Sequence, residues 1–495
     1  MRTESVIVIG AGIGGITAAI HLAKRGSRVT VVEKNSRPGG RCNRFCREGH
    51  HFDTGPTLFV MPLLYDAEFR SLGTSLQEQL ALQRVDPTYH LIFDNGSQLA
   101  LTSEMNFMRE QLEMIEPGSF QNLQRYLKEG QKHYQLVWDK LVNRDFHKIT
   151  DVLNIHNLSL LFQLKPLVNH YRNMSRYFDD PHLKAAFTFQ DLYTGLSPFE
   201  APATYSLMPY TELAHGVWYP KGGMYSIVES LMNLAQQAGV EFIFNAAVAS
   251  IDVNATHVRG LLLADRSRLS ADMILANADL PYVYQYLLPQ AGTAKAMLRK
   301  QFSSSAISFF WGVDKAYEAL GPHTLFLADD YRENFECIAR GPELHTNPSI
   351  YVHAPMRLDP LMAPSGQDTL TAIVPIGHLS DNEELNWGQL LNEARQHVFR
   401  RLRTLGIADL ASHIKFEESY TPLSWRDRYN LMKGATHGLS HRLTQMACFR
   451  PSNRHPYYRN LYFVGASTHP GTGVPTAMVS GRLVSERILE DIKAL

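Results

Sequence analysis

The strongest constraint on this chain lies in its first 33 residues. Ser5-Val6-Ile7-Val8-Ile9 is a short apolar, β-branched run and predicts a strand buried on both faces. Gly10-Ala11-Gly12-Ile13-Gly14-Gly15 follows directly. Ile16 to Arg25 then places Ile16, Ala19, Ile20 and Ala23 at helical spacing, and Gly26 ends the helix as a C-cap. Ser27 to Glu33 predicts a second strand ending in an acid. The opening is therefore a βαβ unit. Within it Gly10, Gly12 and Gly15 form a G-x-G-x-x-G fingerprint. Gly10 allows the tight turn, Gly12 lets the backbone approach a pyrophosphate, and Gly15 lets helix and strand pack closely. The helix start offers free N–H groups and the positive end of its dipole to phosphates. Glu33, about 20 residues on, accepts hydrogen bonds from a ribose diol and disfavours a 2′-phosphate.

The fingerprint occurs once. Gly471-Thr472-Gly473-Val474-Pro475-Thr476 lacks the third glycine, and Gly222-Gly223 reads as a turn pair. A second, nicotinamide-binding site is not expected, so electrons should enter from an organic substrate.

A length of 495 residues suggests roughly two or three domains. Charged residues are 19%, below the usual ~25%, against 44% hydrophobic. That profile excludes a disordered chain and leaves room for a large apolar surface or tunnel. Lys+Arg 48 balances Asp+Glu 48, so no global field steers nucleic acid, and no nucleic-acid partner is expected. Cys42, Cys46, Cys337 and Cys448 form no CxxC, which argues against a zinc site or a disulfide scaffold; no metal is expected. A reducing compartment fits. The glycine-rich N-terminal run is no signal peptide, and no run of 18 apolar residues occurs. A cytoplasmic protein without a spanning helix is the expectation.

Further along, strands are predicted at Tyr89–Phe93, Gln98–Leu101, Val240–Phe244, Val248–Asp252, Val258–Leu263, Arg268–Ser270, Met273–Ala276, Ser304–Val313, Ser349–His353, Thr369–Val374 and Leu461–Val464. Met105 to Arg144 reads as helical with a break at Pro117-Gly118, and Asp145 to Gly195 as mainly helical. Gly216 to Gln237 reads as an aromatic loop entering a helix. Helices are also predicted at Trp387–Arg403 and Thr476–Ile492.

Several blocks go beyond a generic dinucleotide fold. Lys34 to Arg41 reads Lys-Asn-Ser-Arg-Pro-Gly-Gly-Arg, and Asp53-Thr54-Gly55-Pro56-Thr57 follows. Near the other end stands Asn460-Leu461-Tyr462-Phe463-Val464-Gly465-Ala466-Ser467-Thr468-His469-Pro470-Gly471-Thr472-Gly473-Val474-Pro475. Between them lie Gly216-Val217-Trp218-Tyr219-Pro220-Lys221-Gly222-Gly223-Met224, Ala276-Asn277-Ala278-Asp279, Tyr351-Val352-His353-Ala354-Pro355 and Phe449-Arg450-Pro451. From Val6 to Leu489 the chain resembles the bacterial-type phytoene desaturase (carotenoid desaturase) family of the FAD-dependent amine oxidase superfamily. The T-H-P-G core separates it from ordinary amine oxidases.

The resemblance implies an α/β fold: a Rossmann-type FAD-binding domain, a mixed-sheet substrate domain and a helical membrane-facing subdomain. The FAD-binding domain is expected in three parts, 1–100, 216–300 and 451–495, with the helical substrate and membrane-facing region at 101–215 and the substrate domain at 301–450. It implies FAD contacts at Gly10, Gly12, Gly15, Glu33, Lys34, Gly39, Gly40, Arg41, Gly55, Pro56, Thr57, Val248, Gly465, Gly473, Val474 and Pro475, and substrate contacts at Trp218 and Tyr219. The implied reaction is desaturation of an acyclic carotenoid by hydride transfer from an allylic C–H to flavin N5. A helix starting after Pro475 stabilises negative charge at N1/C2=O of the reduced flavin. Quinone or oxygen is the implied electron acceptor. A flavin-dependent carotenoid oxidase or oxygenase is the alternative, and a non-catalytic prenyl-binding carrier of the same fold a more distant one. His469 is either a catalytic base or a loop histidine bonded to backbone; the allylic cation left by hydride loss is delocalised, so a strong base is not required.

A long apolar substrate implies peripheral membrane association. Asn157 to Tyr171 holds Leu158, Leu160, Leu161, Phe162, Leu164, Leu167 and Val168, followed by Arg172 and Arg176, which fits an interfacial helix. Pro166 divides it, and a core helix of the substrate domain is the other reading.

Overall fold

The computed structural model describes residues 4–146, 158–289, 291–380 and 385–493. A parallel sheet is built in the order Leu461–Phe463, Met273–Ala276, Ser5–Ile9, Arg28–Val32, Glu241–Ile243. On one face the helix Ile13–Lys24 packs between Ser226–Gln237 and Val474–Lys493. The other face is covered by an antiparallel meander, Val248–Asn254, His257–Leu263 and Arg268–Ser270. Burial on both faces is why three of these strands, Ser5–Ile9, Met273–Ala276 and Leu461–Phe463, are apolar without alternation.

The first helix begins at Ile13, one turn before the predicted Ile16, with Gly12 as its extended N-cap. Glycines at 14 and 15 are poor helix formers, yet tertiary contact demands them. A Cβ on Gly15 would lie 2.4 Å from the Gly10 carbonyl oxygen, and one on Gly14 would lie 3.0 Å from Val464 Cγ2. Close approach to the first strand and to the C-terminal strand overrides propensity.

A second, seven-stranded mixed sheet runs Ile414–Tyr420, Ser305–Val313, Asp368–Ile376, Ile350–His353, His323–Leu327, Tyr89–Phe93, Gln98–Leu101. Its one parallel pairing joins His323–Leu327 to Tyr89–Phe93. The helix Trp387–Arg403 packs over it, burying Val398 and Leu402 against Phe309 and Trp311. The expected boundary at residue 100 is therefore corrected. The strands at 89–101 belong to the second sheet, because their apolar faces pack with Leu325 and Leu327.

Two more expectations change. Val217–Pro220 is a strand, not a loop, and pairs antiparallel with Leu82–Val85 outside both large sheets. His323–Leu327 and Ile414–Tyr420 complete the second sheet, and Arg44–Arg47 pairs with His50–Asp53 in a hairpin; none of these was read from the sequence.

The helical region comprises Met105–Ile115, Ser119–Val137 winding into a π turn at Trp138–Val142, Leu158–Leu164, His170–Met174, Pro181–Ala186 and Leu207–His215. The break at Pro117-Gly118 falls where predicted, with Gly118 at φ 84°. Asn157, where the apolar segment was expected to begin, lies outside the described residues.

Gly15→Ala should lower the urea midpoint, with a loss of about 1–3 kcal/mol for forcing a methyl into a closed interface. An unchanged midpoint would show that the helix–strand approach is not tight.

Candidate active site

A cavity of about 850 Å³ opens where the carboxyl ends of the parallel strands meet the second sheet and the helical region. One end is built from the glycine turn. Gly10 and Gly12 line it, and the first turn of the helix points its N–H groups there with no side-chain cap. Gly15 does not reach the cavity, since its missing Cβ serves the packing described above.

Glu33 lies at the wall with both carboxylate oxygens in use. Oε2 accepts the Ala11 N–H at 2.8 Å; Oε1 accepts the Asn35 N–H at 2.8 Å and the Asn35 side-chain amide at 3.0 Å. A carboxylate has about four acceptor positions, so Oε2 retains one for a ligand hydroxyl.

Asn277, just beyond the strand Met273–Ala276, covers the turn. Its amide donates to the Gly10 carbonyl at 3.3 Å and lies 2.6 Å from where a Cβ on Gly12 would stand. Gly12 thus answers to a neighbouring side chain as well as to any phosphate. Gly39 donates its N–H to Ala11 O at 2.8 Å, and Gly40 stacks on Gly12. Gly55 approaches so closely that its Cβ would fall 1.9 Å from Arg41 O. Gly39, Gly40, Gly55, Pro56, Thr57 and Val248 all line the cavity.

Arg41 donates to the Thr436 carbonyl at 2.7 Å. Burial pulls its pKa down, opposed by the Asp279 carboxylate. Asp279 accepts from Ser467 Oγ at 2.7 Å and from the Met432 N–H at 3.1 Å; its burial raises its pKa against these bonds and Arg41. The Lys34 ammonium donates to Asp427 O and to Asn430 Oδ1, both at 2.8 Å. Among the described residues Lys34 and Arg41 are the only lysine and arginine lining the cavity, and Lys34 is committed to a loop of the protein.

The C-terminal block closes the same end. Gly465, Gly473, Val474 and Pro475 line the cavity, and Val474 starts the last helix two positions before the expected Thr476. Pro475 stands in its first turn, where no N–H is needed. Arg450 pins this loop. Its guanidinium donates to the carbonyls of Thr468 (2.9 Å), Ser440 (3.1 Å), Gln445 (3.0 Å), Leu439 (3.2 Å) and Ala466. Burial lowers its pKa to about 10. Asn277, Asp279, Thr436 and Arg450 were not predicted as site residues. The Ala276–Asp279 and Phe449–Pro451 blocks contain three of them, and no motif marked Thr436.

His469 lines the cavity, buried, with its ring edge-on to Phe146 at 4.9 Å. Neither ring nitrogen makes a well-formed hydrogen bond among the described residues. It is the His469 carbonyl that is bonded, by Ser480 Oγ at 2.9 Å. Burial, the largest cause, lowers the His469 pKa to about 4 and that of His437 to about 3. His441 is held well below its usual value, chiefly by burial and then Arg450, and its Nε2 accepts the Thr472 N–H at 2.9 Å. All three histidines are neutral at pH 7.

The other end is apolar and aromatic, lined by Leu160, Leu164, Phe189, Tyr193, Tyr205 and Met208. Trp218 and Tyr219 are absent from it, which corrects the substrate assignment. Their strand lies behind the wall: Trp218 exchanges backbone hydrogen bonds with Phe59, while Thr57, Leu58 and Val60 face the cavity. Leu160 and Leu164, read as part of an outward apolar face, are buried and line the interior.

The family model for flavin-containing amine oxidoreductases matches residues 13–489. The zeta-carotene-forming phytoene desaturase of Myxococcus xanthus is 41% identical, covering 98% of this chain and 93% of its own. The phytoene desaturase of Fusarium fujikuroi is 39% identical, over 99% and 90%. A 4,4'-diapolycopene oxygenase of Methylomonas sp is 32% identical over 99% of both chains. Among solved structures, putrescine oxidase bound to putrescine aligns with a TM-score of 0.65 at 15% identity over 99% of each chain. An oxidoreductase from Methanosarcina mazei aligns at 0.64 and 16% identity, over 97% of this chain and 100% of its own. At such identities the structures speak for the fold.

A buried histidine whose pKa falls on folding stabilises the protein fully above its unfolded value, near 6.5, and that stability is lost as pH drops toward the folded value. For His469 the difference is on the order of 3 kcal/mol. His469→Phe, which cannot charge, should lose less melting temperature than the wild type between pH 7 and pH 4.5. Equal losses would show that His469 is not buried neutral.

Proposed function

This chain belongs to the flavin-containing amine oxidoreductase family, and we propose that it is an FAD-dependent desaturase of an acyclic carotenoid. The supporting observation is one continuous cavity with a glycine-and-arginine end and an apolar, aromatic end, in a chain similar to phytoene desaturases over 98% or more of its length. The oxygenase reading keeps some support from the Methylomonas relative, at lower identity.

The residues present fit FAD. Gly10, Gly12 and the open first turn of the helix would meet the pyrophosphate, and the remaining lone pair of Glu33 the ribose. Gly39, Gly40 and Arg41 would complete the phosphate cradle, while Gly55, Pro56, Thr57, Val248, Gly465, Gly473, Val474 and Pro475 would border the ring system. When bound, FAD supplies the hydride acceptor. The protein's own part is to hold the polyene in a dry channel and to keep the neighbouring histidines uncharged. Tyr193 and Phe189 present ring surface to the substrate end. Quinone or oxygen would reoxidise the flavin.

Peripheral membrane contact is the companion proposal. Phe162 is 78% exposed and Leu167 is 89% exposed, while Leu160, Leu164 and Pro166 of the same segment line the cavity. One short stretch thus has apolar residues toward solvent and a wall of the channel on its inner side. Arg172 and Arg176 are exposed beside it and suit anionic lipid. The side chains of Leu158 and Leu161 are not described.

Two experiments test these readings. Glu33→Ala should purify with markedly less flavin, and the wild type should convert an acyclic carotene in liposomes to a more conjugated product while NADH fails to bleach the flavin. Full flavin content in the variant, or no product, would count against the site or the activity respectively. Phe162→Ser with Leu167→Ser should reduce liposome binding and leave flavin content intact. Undiminished binding would move the membrane contact elsewhere.

A further inference from the structure

The reaction proposed above must dispose of a proton, and the cavity histidines are poor acceptors for it. A different polar group is built into the aromatic end. Glu212, on the helix Leu207–His215, is buried at 4% exposure behind the cavity wall. Its Oε1 accepts the Tyr193 hydroxyl at 2.8 Å and the Tyr89 hydroxyl at 3.3 Å; its Oε2 accepts the Gln190 side-chain amide at 3.1 Å. The two phenolic oxygens also lie within hydrogen-bond reach of each other, so the Tyr89 proton serves either Glu212 or Tyr193. Both tyrosines line the cavity, but Tyr89 is fully buried whereas Tyr193 is partly exposed.

We propose that, in the desaturation reaction inferred above, Tyr193 takes the substrate proton while handing its own phenolic proton to Glu212. After hydride loss the adjacent C–H bond breaks and its electron pair becomes the new C=C π bond. The proton goes to Tyr193 Oη, and the original phenolic proton goes to Glu212 Oε1. The relay resets when the product leaves and the proton returns through Tyr193 to water. No external oxidant or base is needed for this half of the reaction. Tyr193 is the catalytic residue; Glu212 acts through it as a positioning residue and proton store.

Three features support a proton store over a structural carboxyl. First, Glu212 has no salt-bridge partner among the described residues, and its contacts are neutral hydroxyls and an amide. Burying a carboxyl this way is costly, and perturbed, buried acids at cavity walls cluster at functional sites. Second, Gln190 is fully buried and its Oε1 is unsatisfied. Rotation of that amide presents a donor to an ionised Glu212 or an acceptor to a protonated one, so both states are served. Third, burial raises the Glu212 pKa to about 8, against the bonds from Gln190 and Tyr89. The acid therefore exchanges a proton near neutral pH. Tyr126 of the long helix is within electrostatic reach of it, and the elements packed against its helix also carry His133, Tyr134 and Asp191, the last paired with His170, with Tyr210 and His215 on its own helix.

The test uses the FAD-loaded enzyme, anaerobic, with an acyclic carotene in liposomes, following flavin bleaching and, as the rate compared below, the absorbance of the more conjugated product from about pH 6 to 10. The wild-type rate should rise with pH through about 8. Tyr193→Phe and Glu212→Gln should each form the more conjugated product about 100-fold more slowly, the scale of general-base catalysis, with flavin content and carotene binding retained. Glu212→Gln should lose the pH-dependent rise and Glu212→Asp should restore it. Tyr193→Phe within threefold of wild type overturns the proposal. So does a slow Glu212→Gln that keeps the wild-type pH rise, which would mark a structural role. Should Glu212→Gln not fold, Tyr193→Phe decides alone, since it removes one hydroxyl at a partly exposed position. A wild type that never bleaches with any acyclic carotene refutes the desaturase reading and this inference with it. Bleaching in the wild type with unaltered variants refutes this inference only.

Discussion

The turn from Gly10 to Gly15 is clamped from both sides, and the rest of the molecule is arranged around that clamp. From the second strand, Glu33 accepts the Ala11 N–H. From beyond the strand Met273–Ala276, Asn277 donates to the Gly10 carbonyl and fills the space a side chain on Gly12 would need. From below, the Gly39 N–H reaches Ala11 O. Two neighbouring stretches near residues 33 and 39 and a third more than 200 residues further on therefore agree on one backbone path. The parallel sheet order brings them together, and the C-terminal strand at 461–463, next to 273–276, adds the loop that Arg450 pins. At this turn the Gly10 and Ala11 carbonyls and the Glu33 carboxylate each already accept a hydrogen bond.

Legibility in the sequence followed how local the cause was. The βαβ opening was readable to within a turn because strand, glycines and acid lie within 33 residues. The glycine-rich loops at 39–40, 55 and 473 were readable through resemblance and line the cavity. What failed depends on long-range partners. Trp218 and Tyr219 look like exposed aromatics in a turn, but pairing with 82–85 and Phe59 draws them one layer back. Strands 89–93 and 98–101 continue the first domain in sequence and the second sheet in space. Arg450 looks like any arginine in a polar loop; its value lies in carbonyls contributed by 439, 440, 445, 466 and 468. Glu212 carries no motif, and only burial beside two phenols marks it.

Charge along the cavity follows one pattern. Its cations sit at the glycine end, with Lys34 turned aside into the protein. Its histidines are pushed toward the neutral form by burial, and two of the buried acids at or behind its walls, Asp279 and Glu212, are pushed toward the protonated form. A channel for an uncharged polyene has no use for fixed charge, because a charge without water costs several kcal/mol. The walls near Tyr193 are instead aromatic, with Phe189 edge-on to Tyr89 at 5.0 Å and to Tyr193 at 6.3 Å. Ring faces attract a transient cation through their quadrupoles and carry no desolvation penalty when the channel is empty. Such a wall favours the charge developing on a reacting polyene over the neutral ground state, which is the condition for rate acceleration. It also relaxes the demand on the base: a delocalised cation is acidic at its neighbouring C–H, so a phenol hydrogen-bonded to a buried carboxylate suffices.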